Sequence, residues 1–532
     1  MKVKKWEVGG INNMHYSKSQ LDKDNFEWFR SDKSRNTLQK IKISNGRIRG
    51  ISSMEMAFEY PITAIVGENG SGKSTLLALI TCAFHNTSSF IPQNRIRLNV
   101  KKPRHYYTYG DFFTFSPNEE GINEIEISST YLSSNGTRTD VRKKKPSGKW
   151  NDFNSRPVRT VTYMGINRIL PPSESNPHRH YSKYFQKDSL TDEQINQIKT
   201  SMSRILGKNY NDIELLSYNT YRLFEVHRNS IVYTGFNMGA GENAVLYLLL
   251  EVLSAGAGSL LVIDEIELGL HVQAQKKLVE ELKYICKKYK CQIICSTHSK
   301  HILDQLPPEG RIFIKNADTA TEIIPQISSQ YAFGKLSGDS SKELDIFVED
   351  DVGRAFLLSC LPQNFRERVN IIPVGSDQSV LKHMAVHYRE ERHNYIAFLD
   401  GDKRTQIASS KNKVKSHLET RLNETEDEFN EYIEKRLKYI PGDKWPEYVM
   451  VESALRLSDK EYLIQEWEST EEDITSYFEI ALTAGKHKEF FTLAHSLALD
   501  IDQVRHDVMR FYKLTHQEQI NDILNSIRIL LE

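Results

Sequence analysis

The sequence predicts an α/β protein made of two successive parts, and three observations predict it. An apolar β-branched run, Ile62 to Val66, leads into Gly67 and then Gly72-Lys73-Ser74, the spacing G-x-x-x-x-G-K-[ST] of a phosphate-binding loop between a strand and a helix. Two further apolar strands, Leu260 to Ile263 and Ile293 to Cys295, run out into Asp264-Glu265 and into His298. Beyond about residue 343 a second set of apolar strands begins, and it ends in Glu349 and in Asp400-Gly401-Asp402.

At 532 residues the chain is too long for one ordinary core, so two or three domains are expected. Lys+Arg and Asp+Glu balance at 70 each, which confines any polyanion site to a local patch. Hydrophobic content of 39% with 10% aromatics indicates a folded chain. The five cysteines (Cys82, Cys286, Cys291, Cys295, Cys360) form no C-x-x-C pair, and Cys291 and Cys295 lie in an apolar run, where buried strand residues are expected rather than metal ligands. The lysine-rich start lacks the apolar core of a signal peptide, and no run of ~18 apolar residues occurs. A cytoplasmic protein with no membrane partner is the expectation.

Up to about residue 60, short strands are expected at Phe26-Glu27-Trp28-Phe29 and Ile41-Lys42-Ile43, which alternate apolar and polar residues. The phosphate-binding loop follows. Gly67, Gly70 and Gly72 let the backbone curl so that the N–H groups from Asn69 through Ser71 to Thr75 face a phosphate chain. Lys73 adds positive charge at the terminal phosphates, Ser74 can hold Mg2+, and the helix N-terminus favours the anion. Leu76 to Ile80 continues that helix as a buried one. The polar stretch from about Asn99 to Asn154, with Lys143-Lys144-Lys145 and Pro146-Ser147-Gly148, reads as an exposed hairpin insertion or as a phosphate-backbone contact. Val161 to Pro172 reads as a strand ending at a turn, where Arg168 either senses a phosphate or makes a structural ion pair.

Asp264 at the end of Leu260 to Ile263 would hold Mg2+ through its waters, and Glu265 would polarise an attacking water. His298 would reach the γ-phosphate. Upstream, Gly239, Gly241 and Glu242 open the apolar helix Ala244 to Leu250, again placing N–H groups where an anion can sit.

Together these segments resemble the ABC-type ATPase heads of the SMC and RecF group. The resemblance implies that ATP is sandwiched between two heads, in a homodimer or higher homo-oligomer. The Gly239 segment is then the signature loop that completes the nucleotide site of the other protomer. Met238-Gly239-Ala240-Gly241-Glu242 departs from the family's Ser-Gly-Gly-Gln core, and no glutamine-loop residue is identifiable. The lack of a long heptad repeat between the loop and Asp264 argues against a true SMC protein.

After a linker at about 325–343, Leu344 to Glu349, Val369 to Gly375 and Tyr395 to Asp402 read as strands, with a helix at Val352 to Leu358. In a parallel sheet the strand ends lie side by side, so Glu349, Asp400 and Asp402 would converge. Converging carboxylates repel unless a divalent cation sits among them, and oxygen ligands select Mg2+ or Mn2+. Unconnected strand-end acids are the plainer alternative. Lys411 to Lys438 reads as a solvated helical insertion rather than a partner-binding arm, and residues 500 to 532 as amphipathic helices.

This arrangement is similar to a TOPRIM domain, in which a glutamate and a later Asp-x-Asp bind Mg2+ for phosphoryl transfer. An ABC head followed by TOPRIM resembles the OLD (overcoming lysogenization defect) nucleases, a family that includes the Gabija nuclease and retron-associated effectors. Val348-Glu349-Asp350, Leu399 to Asp402, Ile440-Pro441-Gly442 and Pro446-Glu447 carry the resemblance. Gly353 stands where many relatives place an acid, with Asp350 or Asp351 as candidate substitutes. Lys486 or Lys488 would supply a late basic residue.

The fold class that follows is α/β: an ABC/SMC-like P-loop ATPase head at 1–330, then a TOPRIM (Rossmann-like) domain at 343–532 with a helical insertion at about 405–440 and C-terminal helices. The resemblance implies an ATP-binding and ATP-hydrolysing, metal-dependent DNA endonuclease of anti-phage defence. Its metal ligands would be Glu349, Asp400 and Asp402, with Ser74 and Asp264 in the head and Glu265 as the ATPase catalyst. Double-stranded DNA is the expected substrate, and a reverse transcriptase–non-coding RNA complex or a helicase the expected kind of partner. An ATP-driven sensor or clamp without nuclease activity, and an RNA or tRNA nuclease of the same chemistry, are the alternatives.

Overall fold

The computed structural model describes residues 16–86, 106–114, 125–144, 150–151, 155–169, 184–188, 190–218, 221–316, 320–337, 342–390, 392–418 and 425–531. The chain divides into two compact units, with Tyr16–Asp339 in one and Ser340–Glu532 in the other.

In the first unit β3 (Ile62–Val66), β6 (Val161–Met164), β11 (Leu260–Ile263), β12 (Gln292–Ser296), β13 (Arg311–Asn316) and β14 (Thr321–Pro325) form a sheet in the order β14-β13-β3-β12-β11-β6. It is parallel except at β14. Every residue of β3, β11 and β12 is buried, which is why they read as unbroken apolar runs. An antiparallel sheet, β2-β1-β4-β5, uses β1 (Thr37–Asn45), β2 (Met54–Ala57), β4 (Glu126–Ser133) and β5 (Gly136–Lys143). Another, β10-β9-β8-β7, uses β7 (Gln186–Lys187), β8 (Asp212–Tyr218), β9 (Tyr221–Arg228) and β10 (Ile231–Thr234).

Three expectations are corrected here. Phe26 to Phe29 belongs to the helix Gln20–Ser31, opened by a capping box between Ser19 and Asp22. The helix buries Asp22, Asn25 and Phe29, a helical spacing that the four residues Phe26 to Phe29 are too few to display. The expected hairpin insertion supplies β4 and β5, and β4 pairs with β1 through Ile127 and Tyr131 on the buried face. In that hairpin Lys143 pairs with Glu126 at 2.6 Å, whereas Lys145 to Gly148 lie outside the described residues. Arg168 is buried and donates to the carbonyls of Gly165, Asp264 and Glu265, so it holds backbone rather than a carboxylate. All five cysteines are buried, with Cys295 on β12.

The second unit has an all-parallel sheet, β16-β15-β17-β18, from β15 (Leu344–Val348), β16 (Val369–Pro373), β17 (Tyr395–Leu399) and β18 (Leu437–Tyr439). The chain moves outward from β15 to β16 and then returns to the far side of β15, so the order reverses between β15 and β17. Ligands of open α/β sheets bind at the carboxyl ends of such a pair. The charged stretch expected as a solvated insertion forms the helices Ile407–Ser416 and Glu426–Arg436, the crossover from β17 to β18. Val414, Phe429 and Ile433 pack there with Phe347 and Leu399, which makes it part of the core. Six helices from Pro446 to Leu531 complete the unit. Arg368 ties their end to the sheet, pairing with Glu343 at 2.7 Å and donating to the Leu531 carbonyl at 2.9 Å.

No described helix is long and apolar enough to cross a membrane.

Candidate functional site

In the first unit β3 delivers Gly67 to the loop, and a Cβ there would lie 2.4 Å from the Ile314 carbonyl oxygen. Gly72 caps the helix Lys73–Thr81 in the left-handed region at φ 92°, with no side-chain cap, so the first N–H groups of the helix are left to the loop. Lys73 Nζ donates to the carbonyls of Gly67 and Glu68 at 2.8 and 2.9 Å. Burial lowers the Lys73 pKa, and the charges of Asp264, Glu265 and Glu267 oppose that. Asn69, Gly70 and Ser74 are exposed and Thr75 is buried. Ser71 Oγ is buried without a hydrogen-bond partner, an orphaned group of the kind a phosphate oxygen satisfies.

Asp264 sits at the end of β11 with Oδ1 accepting from Ser296 on β12, and Ser296 Oγ in turn accepts the Glu265 N–H at 2.7 Å. Glu265 holds a left-handed φ of 48°, which turns the chain sharply after Asp264. Glu267, missed in the sequence, accepts from the Thr297 hydroxyl at 2.7 Å and from the His298 N–H, and so fixes the loop that carries His298. Its only sequence signal is a third acid within four residues of Asp264.

Gly239 caps the helix Ala240–Ala255. A Cβ on Gly241 would lie 2.1 Å from the Gly269 carbonyl oxygen, so this helix start abuts the loop that follows Asp264. Glu242 accepts from the Tyr210 and Tyr233 hydroxyls at 2.6 and 2.8 Å, which engages its carboxylate within its own chain.

In the second unit the Asp400 N–H donates to Glu349 Oε1 at 2.8 Å, joining the ends of β15 and β17. Asp400 is 6% exposed. Burial and then the charges of Glu349, Asp350, Asp402 and Glu447 push its carboxyl up to about 8. Glu349 is raised as well, chiefly by burial. Asp402 Oδ2 lies 3.4 Å from Lys486 Nζ and 3.6 Å from Lys403 Nζ. Lys486 is therefore the late basic residue that reaches the acids, whereas Lys488 caps the next helix, Glu489–Leu497. Neither proposed substitute at the Gly353 position is free. Asp350 caps its helix by accepting the Gly353 N–H, and Asp351 is exposed, 4.0 Å from Arg354.

Glu447 is the further acid at this site. It is 4% exposed, one oxygen lies 3.1 Å from His487 Nδ1, and the other is buried without a partner. The sequence placed it near the site in Pro446-Glu447 without a role. Asp402 Oδ1 is likewise buried and unpartnered. As placed, no group of three or more His, Cys, Asp or Glu side chains among the described residues is arranged to hold an ion. The donor set nevertheless fits a hard divalent cation in kind: all oxygen, with neighbouring carboxylates raising the Asp400 carboxyl and with buried oxygens lacking a partner.

Comparison with known proteins bears first on the unit Tyr16–Asp339, where both family matches fall. A family described as "ABC transporter" matches residues 56–128, and one described as "AAA domain, putative AbiEii toxin, Type IV TA system" matches residues 165–304. Septu protein PtuA of Bacillus thuringiensis is 24% identical over 352 residues, 56% of this chain and 80% of that protein. The OLD nuclease of Thermus scotoductus is 26% identical over 320 residues, 50% of this chain and 60% of that protein.

The chain is similar at low identity to a Septu PtuA protein and to an OLD nuclease, and its first unit carries a P-loop ATPase head.

Among solved structures the chain matches the SMC head domain from Thermotoga maritima at 16% identity and a TM-score of 0.34, over 54% of this chain and 98% of that one. It matches an SMC head bound to the C-terminal winged-helix domain of ScpA at 14% identity and a TM-score of 0.37, over 56% and 99%.

Proposed function

We propose that the chain is an ATP-regulated, divalent-metal-dependent DNA endonuclease acting in anti-phage defence. One observation carries the reading: Glu349 and Asp400 meet at the switch point of a parallel sheet, with Asp402, Glu447 and Lys486 beside them. An ATPase head needs no such site for its own chemistry. The TOPRIM resemblance gives the site a purpose, and the similarity to an OLD nuclease supports it.

Glu349, Asp400, Asp402 and Glu447 would hold Mg2+ or Mn2+. The bound ion would supply an activated water and stabilise the leaving oxygen of a phosphodiester. Lys486, already against Asp402, faces the charge that a phosphate develops. In the head, Ser71, Lys73 and the N–H groups after Gly72 would cradle the phosphates, Ser74 and Asp264 would hold their Mg2+, and Glu265 would polarise water. The N-terminus of Ala240–Ala255, with Gly239 and Gly241, would serve the nucleotide of a second head, making the working form a homodimer or larger. A reverse transcriptase–RNA complex or a helicase is the proposed kind of defence partner.

The test is cleavage of plasmid DNA in Mg2+ or Mn2+ by wild type and by Asp400→Ala, with ATP binding measured alongside. Cleavage lost in the variant with ATP binding kept supports the reading. A second reading, an ATP-driven clamp, is favoured by the acids not being arranged around one point. Metal-independent DNA retention without cleavage would establish that reading instead.

A further inference from the structure

The rim of the carboxylate site is aromatic and basic. Lys444-Trp445-Pro446-Glu447-Tyr448 runs into the helix Pro446–Arg456, and Trp445 is its N-cap, two residues before Glu447. The Trp445 ring lies 5.3 Å from that of Tyr448 at 61° and 5.9 Å from that of His487. Lys486 Nζ stands 5.1 Å over the Trp445 ring and the same atom is 3.4 Å from Asp402. Lys444 Nζ stands 6.0 Å over Tyr448.

Two features separate this cluster from ordinary packing. Trp445 and Tyr448 are half-buried, and Lys444 and Lys486 are exposed, so the rings and cations are open to a ligand. Trp445 is also fixed in plane: its Nε1–H donates at 2.7 Å to Glu489, which is 1% exposed. A rigid, half-exposed indole with cations beside it is the combination on which nucleobases stack while the strand's phosphates are neutralised. A base can use it only when it is out of the duplex, because paired bases are covered by their neighbours.

We infer that Trp445 and Tyr448 form a stacking platform for an unpaired nucleobase beside the carboxylates, so that the DNA entering this site is single-stranded or locally frayed. The inference rests on the nuclease reading for its purpose, but not for its test. Lys486 links the two halves. It leaves Asp402 for the incoming phosphate while the neighbouring base settles on Trp445.

The experiment is binding without cleavage. A labelled oligothymidylate strand and a hairpin duplex of equal length are titrated into the full chain in EDTA, read by anisotropy and by tryptophan fluorescence. The single strand binds more tightly than the duplex and quenches the fluorescence. Trp445→Leu weakens single-strand binding about 5- to 100-fold, Trp445→Phe keeps most of it, and neither variant changes duplex binding. Equal affinity for strand and duplex, or an unchanged affinity in a Trp445→Leu protein that melts like wild type, overturns the platform. Should Trp445→Leu fail to fold, Tyr448→Leu carries the same comparison. A wild type that prefers the single strand yet cuts neither that strand nor plasmid in Mg2+ or Mn2+ would sink the nuclease reading and leave the platform standing.

Discussion

The backbone N–H of Asp400 donates to Glu349 Oε1 at 2.8 Å, so the end of β17 holds the carboxylate that ends β15. Glu349 is thereby oriented by the backbone of its neighbour in the sheet, and the distance between the two acids is set by strand pairing. Such a site costs the fold. Buried acids that crowd one another are tolerated when function requires them.

Asp400 makes that cost measurable. Its carboxyl sits at about 8 in the folded protein against an ordinary 3.8. Between those values the folded chain holds a proton that the unfolded chain releases. This group's stabilising contribution is full below pH 3.8 and is lost as pH rises through about 8, by up to ~1.4 kcal/mol per pH unit. In metal-free buffer Asp400→Asn should raise the melting temperature at pH 8 by several degrees, on the order of 1–3 kcal/mol, and flatten its fall with pH. Adding Mg2+ should raise the wild-type melting temperature more than that of the variant.

Lys486 and Lys488 should separate in a cleavage assay. Lys486 stands 3.4 Å from Asp402, and Lys488 caps a helix facing solvent. Lys486→Ala should lower the cleavage rate about 10- to 1000-fold, the range for removing a group that stabilises transition-state charge. Lys488→Ala should stay within about twofold, since an exposed substitution away from a site costs little.

Gly241 and Gly239 offer a paired test of the head. A Cβ at Gly241 would stand 2.1 Å from a backbone oxygen of Gly269, whereas Gly239 has φ −63° and nothing within 4 Å. Gly241→Ala should destabilise the chain by about 1–3 kcal/mol in urea denaturation and depress ATP turnover. Gly239→Ala should change stability by less than about 0.5 kcal/mol.

Glu267 should matter to turnover more than to affinity. Its carboxylate holds Thr297 and the His298 N–H, so Glu267→Ala loosens the His298 loop while leaving the hydrogen bonds of Lys73 in place. ATP hydrolysis should fall about 10-fold or more while nucleotide binding, measured by calorimetry, stays within about threefold.

Much of the fold was legible because its buried parallel strands are unbroken apolar runs that end at turns. Ile62 to Val66, Leu260 to Ile263 and Tyr395 to Leu399 are of this kind. Short amphipathic pieces were less legible. Phe26 to Phe29 reads as a strand because four residues cannot distinguish a period of two from one of 3.6. The charged crossover Glu426–Arg436 hid Phe429 and Ile433 among surface residues. At the carboxylate site, the strand-end acids announced themselves by position. Glu447 did not, because it lies inside a helix and its nearness to Asp350 and Asp400 comes from the packing of Pro446–Arg456 into the core shared by Val348 and Phe398. Lys486 could not be told from Lys488 by composition, and only the loop at Gly485 decides which of them reaches Asp402.

Under the proposed function, the acids at the ends of β15 and β17 cut DNA under the control of the ATPase head. Supercoiled plasmid should be incubated with the full chain in Mg2+ or Mn2+, with and without ATP, beside Asp400→Asn and Lys73→Ala. The account predicts metal-dependent nicking by wild type, none by Asp400→Asn, and a response to ATP that Lys73→Ala removes. Nicking by Asp400→Asn at the wild-type rate would contradict it.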